Sequence, residues 1–262
     1  MKKKASIWNV LAVIAVLVIV FCGWKLYGIY ADYQVAAEEY EQLRQIGRTD
    51  GSGTVTAADN EEDGGGIPAP GEIDFGALQN INPDIVGWIQ FVDADIPIDY
   101  PIVHSADNSD YLRRNIYKKY SRSGSIILES QNAADFQDLH TILYGHNMLD
   151  RSMFSTLKKY QKQSFYQEHS PYFYIYTPGH VYLYEIFACH DVDSTSALYT
   201  VGFEAGAEWQ SFIQHNMRDT ALYETGVEIA EGNYVMTLST CTDDAGDRFV
   251  VHAKRIREAL QQ

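Results

Sequence analysis

Tyr172-Phe173-Tyr174-Ile175-Tyr176-Thr177-Pro178-Gly179-His180-Val181-Tyr182-Leu183-Tyr184-Glu185-Ile186-Phe187-Ala188-Cys189-His190 holds two runs of aromatic and β-branched residues parted by a Pro-Gly turn signal. Such side chains suit a pleated, half-buried surface, so Tyr172–Thr177 and Val181–His190 read as strands. The same texture recurs on both sides of this stretch, at Val86–Phe91, Ile98–Val103, Ser123–Leu128, Thr141–Tyr144, Tyr234–Ser239 and Phe249–Ile256. Eight short runs without regular β-α alternation predict a mainly β body, a barrel or a sandwich.

Helices are expected among the strands. Trp209, Phe212, Ile213 and Met217 form one apolar stripe at helical spacing, suited to packing on the sheet. Shorter helices are predicted at Phe75–Ile81, Ser109–Tyr117 and Ser152–Tyr160, with Asn108 or Ser109 as a cap for the second.

The N-terminus has a different character. Lys2, Lys3 and Lys4 precede an apolar run from Ile7 to Gly23, interrupted only by Asn9. As a helix that run is roughly 26 Å long, close to the thickness of a bilayer's hydrocarbon core. Trp24, Tyr27 and Tyr30 follow as interfacial aromatics, and the preceding lysines favour a cytoplasmic N-terminus with the body outside. A cleavable signal peptide shares this pattern, but Phe21-Cys22-Gly23-Trp24 is too bulky for its cleavage site, and Phe21 stands where a lipoprotein site needs a small residue. The reading adopted is an uncleaved, single-pass anchor.

From Tyr30 to Ile46 the stripe Tyr33, Ala36, Ala37, Tyr40, Leu43 continues as a helix. Residues 49–71, rich in Gly, Asp, Glu, Thr and Ala, have the composition of a flexible tether. The expected division is a tail and anchor at 1–30, a juxtamembrane helix and tether at 31–71, and a folded domain at 72–262.

Composition narrows the function. The chain carries a net charge of −15, and everything after Lys25 is four units more negative, because the first 25 residues hold four lysines and no acid. A body so acidic, without a basic stripe, repels phosphate backbones and excludes nucleic acid as a partner. Three cysteines, Cys22, Cys189 and Cys241, are too few for a disulfide scaffold and match no zinc spacing. No cofactor is expected, and no metal: Asp243, Asp244 and Asp247 lack the spacing of a calcium loop.

Cys22 and Cys189 read as small hydrophobes. Cys241 differs, because Tyr234–Ser239 delivers it to a strand end, just before a loop of composition Thr242-Asp243-Asp244-Ala245-Gly246-Asp247. A free thiol is only ~3% ionised at neutral pH, so a catalytic one needs a base or a cation beside it. Tyr144-Gly145-His146-Asn147 offers a base, with His146 presented in the loop behind a strand. The other histidines read as ordinary strand residues (His190, His252) or as residues of turns and exposed faces (His104, His140, His169, His180, His215). Arg248 opens the last strand, where antiparallel pairing would bring it beside Cys241 and suit it to an oxyanion; taken alone it reads as a surface cation offsetting the loop acids.

Thr237-Leu238-Ser239-Thr240-Cys241, Arg248-Phe249-Val250-Val251-His252-Ala253 and, upstream, Tyr144-Gly145-His146-Asn147-Met148 together resemble the sortase family. Class B is the nearest in pattern, through Ile81-Asn82-Pro83-Asp84-Ile85-Val86-Gly87-Trp88-Ile89, Ile98-Asp99-Tyr100-Pro101, Ser123-Gly124-Ser125-Ile126 and Tyr174-Ile175-Tyr176-Thr177-Pro178. The resemblance covers residues 72–258. It implies an eight-stranded barrel with added helices, and a cysteine transpeptidase of the outer cell surface. Cys241 would attack after Thr in a C-terminal sorting motif of a secreted protein, and a peptidoglycan or pilin amine would resolve the thioacyl enzyme. His146 would serve as acid and then base, and Arg248 would steady the oxyanion. Ser239 and Thr240 would contact substrate. Asp243, two residues after Cys241, reads as a solvated loop acid before it reads as an orienter of His146.

Three rivals are weaker. An L,D-transpeptidase places Arg two residues after its Cys, and a papain-like peptidase runs Cys before His; neither order is found here. A non-enzymatic, anchored β-domain that binds a wall component or serves as an adhesin, with Cys241 structural, fits the tether and the acidic surface equally well, but does not account for the motifs above.

Overall fold

The computed structural model describes residues 2–48, 67, 70–230, 232–241 and 246–261. A single helix α1 (Lys2–Gly47) leads to α2 (Phe75–Ile81), which Asp74 caps by accepting the N–H of Ala77. Eight strands follow: β1 (Ile85–Phe91), β2 (Asp99–Val103), β3 (Ile126–Leu128), β4 (His140–His146), β5 (Tyr172–Thr177), β6 (His180–Asp193), β7 (Val235–Cys241) and β8 (Asp247–Leu260). They close into a barrel in the order β1-β2-β3-β4-β7-β8-β6-β5. Closure leaves no long edge to aggregate, which a chain of such apolar strands needs. Every strand expected from the sequence is present.

Two pairings are parallel, β2 with β3 and β4 with β7. Neither can be made by a short hairpin, so long segments must return the chain to the same end of the barrel. Between β6 and β7 that segment includes a 3₁₀ turn (Ala197–Tyr199), α4 (Ala207–Phe212) and a π-helical turn (Ile213–Arg218). Side chains alternate across each strand. Inward residues such as Leu143, Met236, Leu238, Phe249 and Val251 fill the barrel. On the outer face Phe187, Val235 and Val250 pack beneath Trp209, Ile213 and Met217, making a second, smaller core. The apolar stripe expected of this helix is thus buried against the sheet, with Phe212 at its margin.

Two helix expectations are corrected. Ser109–Tyr117 is a run of turns, because its backbone groups find distant partners: Ser125 N–H bonds the Tyr111 carbonyl, and Ser125 Oγ bonds that of Arg114. Asp107 also draws the N–H groups of Ser109 and Asp110 onto its carboxylate. Ser152–Tyr160 contains a 3₁₀ helix at Ser155–Gln161 preceded by Arg151 and Met153 at positive φ, and a short α3 (Gln163–Glu168) follows it.

The first part of α1 exposes its apolar side chains to the surroundings, whereas Ala36, Tyr40 and Leu43 are buried against the barrel. Their 36, 40, 43 spacing is a helical stripe. Gly47 ends the helix against Leu78, and Arg48 forms an antiparallel bridge with Ile73. The tether expected at 49–71 lies mostly outside the described residues, but Arg48 before it and Ile73 just beyond it are neighbours on the body.

Candidate active site

β4 and β7 pair in parallel without a break over seven positions, from His140 opposite Val235 to His146 opposite Cys241. Parallel strands end at the same edge, so this register alone delivers a histidine and a cysteine side by side. His146 is therefore the last residue of a strand, a correction to its expected place in a loop. Gly145 reads as a turn in isolation, yet here it keeps the strand regular because its inward position is already filled. A Cβ there would meet Phe154 at 2.6 Å and Ile126 at 2.8 Å.

His146 is 9% exposed, and its Nε2 lies 2.7 Å from the carbonyl oxygen of Leu112. A carbonyl only accepts, so Nε2 carries the hydrogen and Nδ1 is left as the nitrogen that can exchange a proton. Sequence reasoning missed Leu112. A backbone carbonyl leaves no trace in residue identity, and the loop that carries it has the local pattern of a helix.

β8 runs antiparallel to β7 from Val235–Lys254 to Ser239–Val250. One step further, the hydroxyl of Thr240 takes over from the ladder: it donates to the Phe249 carbonyl at 3.1 Å and accepts the Phe249 N–H at 3.0 Å. Cys241 lies two residues beyond Ser239 and Arg248 two residues before Val250, so both stand at the same end of the β7–β8 pair. Arg248 is half-buried, pairs with Val192 of β6, and faces Asp193, whose carboxyl is held low mainly by Thr195 and further by this guanidinium. His146, Cys241 and Arg248 thus stand at the ends of three adjacent strands.

Ser239 and Thr240 are placed differently from the other expected site residues. Both are fully buried. Thr240 is committed to Phe249, and Ser239 is covered by Tyr199, whose hydroxyl lies 2.9 Å from its Oγ. Asp243 lies outside the described residues.

Tyr199 and Tyr144 face each other with ring centroids 6.2 Å apart, and Tyr144 shares the outer face of β4 with His146. Tyr144 donates to Glu129 at 2.8 Å, as does Asn108 at 2.6 Å. Burial pushes the Glu129 carboxyl up, but Tyr144, the Gln131 N–H, Asn108 and Ser130 together hold it below the ordinary range. These donors mark a rigid polar wall beside the strand ends. A single acid after the apolar run Ile126–Leu128 was the only sequence signal for it.

Further along the same face, His140 is fully buried, a correction to its expected exposure, because Trp209, far away in sequence, covers it. Among the described residues, Asp93, Asp95 and His169 are close enough to share a cation. Asp93 is already engaged by the Ser170 N–H at 2.9 Å and Asp95 by Lys159, and none of the three belongs to the strand ends that carry His146 and Cys241.

A cysteine and a histidine paired at adjacent strand ends of a closed barrel are an arrangement suited to acyl transfer through a thiol. Residues 94–256 match the family model of the sortase domain. Sortase B of Listeria monocytogenes is 30% identical over 98% of this chain and 99% of its own, and sortase B of Staphylococcus aureus 28% over 95% and 96%. Among solved structures, Bacillus anthracis sortase B in complex with AAEK1 superposes with a TM-score of 0.71 at 32% identity, covering 87% of this chain and 99% of that one. A Staphylococcus aureus sortase B–substrate complex gives 0.65 at 31%, covering 70% and 84%. A sortase B complexed with triglycine gives 0.65 at 31% as well, covering 70% and 85%. The chain belongs to the sortase family, with its likeness to the class B members, and is a sortase-type cysteine transpeptidase.

Proposed function

We propose that this transpeptidase cleaves a C-terminal sorting motif of secreted proteins after Thr and transfers the acyl group to an amine of the cell wall or of a pilin. The thiol proton of Cys241 passes to His146 Nδ1, the thiolate Sγ attacks the Thr carbonyl, and the oxyanion faces Arg248. As the peptide C–N bond breaks, His146 gives its Nδ1 proton to the leaving amine, and a thioester remains on Cys241. An incoming amine then loses a proton to His146, attacks the thioester, and releases the thiolate. The observation that carries this reading is the unbroken parallel register that sets His146 opposite Cys241. The Staphylococcus aureus relative solved with substrate and the sortase B solved with triglycine support a peptide donor and an amine acceptor.

The apolar start of α1 supports a membrane anchor: the helix is long and apolar enough to cross a bilayer, with a mean hydropathy of 2.5 and none of that window buried. The lysines before it favour a cytoplasmic N-terminus and an outward catalytic domain. Transfer is tested by incubating the full chain in detergent with sorting peptides and an amine series, oligoglycine, diaminopimelate-type and lysine side chains, followed by mass spectrometry. A ligated product that vanishes in Cys241→Ala is expected. Hydrolysed peptide alone, with every amine at millimolar levels, would reduce the activity to that of a thiol peptidase.

A further inference from the structure

The outer half of α1 touches both supports of His146 through one side chain. Tyr40 is 5% exposed, and its hydroxyl donates to the Gly124 carbonyl at 2.7 Å. Gly124, at φ +57°, lies so tightly on the preceding loop that a Cβ there would meet the Leu112 carbonyl oxygen at 2.5 Å. That oxygen is the acceptor that fixes the His146 ring. On its other side the Tyr40 ring meets Tyr100 edge-on, with centroids 5.0 Å apart. The Tyr100 hydroxyl accepts the Met153 N–H at 3.2 Å. Met153 bridges Asn147, and the next N–H, of Phe154, bonds the His146 carbonyl at 3.0 Å. Ring and backbone of the same histidine are therefore both referred to a helix that begins in the apolar N-terminal run.

We propose that Tyr40 is a positioning residue for His146, so that the membrane-proximal helix is a working part of the catalytic scaffold as well as its attachment. The proposal rests on His146 being the acid–base group. The bond to Gly124 sets the height of the loop, and the contact with Tyr100 sets the strand end. Loss of either lets the imidazole drift from the thiol, and a displacement on the order of 1 Å in a reacting geometry costs roughly 100-fold in rate. Substrate binding should be spared, because Tyr40 reaches His146 from inside the protein.

The test uses the full chain in detergent micelles, as wild type, Tyr40→Phe, Tyr40→Ala and His146→Ala, with kcat divided by the number of thiols that a thiol-reactive probe titrates. Tyr40→Ala is expected to lower kcat per titrated site roughly 10- to 100-fold with KM within about 2-fold. Tyr40→Phe keeps the ring on Tyr100 and loses only the bond to Gly124, so it should still lower kcat per titrated site severalfold, though less than Tyr40→Ala does. A purely structural role would lower the titre of reactive thiol and leave kcat per titrated site unchanged. That outcome, or a loss confined to KM, overturns the proposal. If Tyr40→Ala does not fold, Tyr40→Phe decides: wild-type kcat per site in that variant also overturns it. Turnover retained by His146→Ala would instead show that the catalytic assignment of His146 is wrong.

Discussion

At the scale of single residues, the site depends on small groups that clear space as much as on reactive ones. Gly145 separates Tyr144 from His146, and its missing side chain is replaced by the Phe154 ring and the Ile126 methyl. An alanine there must push one of them aside. Phe154 is fully buried and its N–H holds the His146 carbonyl, so the displacement is passed directly to the end of β4. Gly145→Ala is expected to cost about 1–3 kcal/mol of stability, as overpacking does, and to lower kcat more than it raises KM. Denaturant unfolding and steady-state kinetics on the same preparation would check both; wild-type turnover with a stability loss would mean that Phe154 yields without moving His146. Arg248 makes a complementary demand on shape. Its planar fork can serve an oxyanion and a peptide carbonyl together, which a lysine's point charge cannot, so Arg248→Lys should recover little of the activity lost in Arg248→Ala.

At the scale of elements, strands β4, β7 and β8 carry a second polar feature behind the active site. His140 Nδ1 lies 2.6 Å from the Thr200 carbonyl and must donate to it, so its Nε2 accepts from the Thr237 hydroxyl at 2.6 Å. Thr237 in turn accepts from His252 Nδ1 at 2.8 Å, which leaves His252 Nε2 buried without a partner. Both rings are neutral. Burial pushes His140 down to about 4, and burial together with His190 and His140 pushes His252 well below its ordinary value. The unfolded chain binds a proton on His140 near pH 6.5 and the folded chain only near 4, so stability is full above that window and is lost as pH falls through it. The loss from His140 alone is about 3 kcal/mol. Replacing it in His140→Gln should therefore cost stability at pH 7.5 and cost less, or nothing, near pH 4.5, by urea unfolding at each pH. An equal difference at both values would mean that His140 is not held neutral. This chain also shows how far local pattern reaches. The strand ends of β5 are legible to the residue because aromatic runs and Pro-Gly signal them locally. The π-helical turn, the parallel pairing of β4 with β7 and the burial of His140 under Trp209 are set by contacts between residues far apart in sequence, so no window of sequence holds them. The strand-end places of Cys241 and Arg248 were legible in sequence, whereas His146 read as a loop residue because Gly145 looks like a turn. Leu112, Glu129 and Tyr199 act through a carbonyl, a buried acid and a loop ring that look ordinary in sequence.

At the scale of the whole molecule, the relation between α1 and the barrel decides how the domain would stand on a membrane that the proposed anchor crosses. The acidic, glycine-rich composition of 49–71 suggests a leash on which the domain could wander. The helix before it, however, is already fastened. Leu43 is 1% exposed, and burial of such a side chain contributes ~2 kcal/mol. Asp32 pairs with Arg122 at 2.9 Å, Glu39 accepts from Asn115 at 2.6 Å, and Arg48 pairs with Asp99 at 2.6 Å. The exposed pairs contribute little individually, but they span the docked part of the helix from its start to its end. Along the helix axis Asp32 is only about 14 Å beyond Gly23, so a domain held there would sit just above the headgroups. A protease site inserted at Gly64-Gly65-Gly66 separates the two arrangements. If the domain hangs on a leash, cutting the full chain in vesicles frees residues 67–262 into the supernatant. The packing of α1 predicts the opposite: the cut body sediments with the vesicles at physiological salt and leaves them only when denaturant disrupts the helix contact. Leu43→Asp places a charge in that contact, so the same cut in this variant should release the body without denaturant. Release of the unmodified, cut body in buffer alone would show that α1 and the barrel are joined only through the chain.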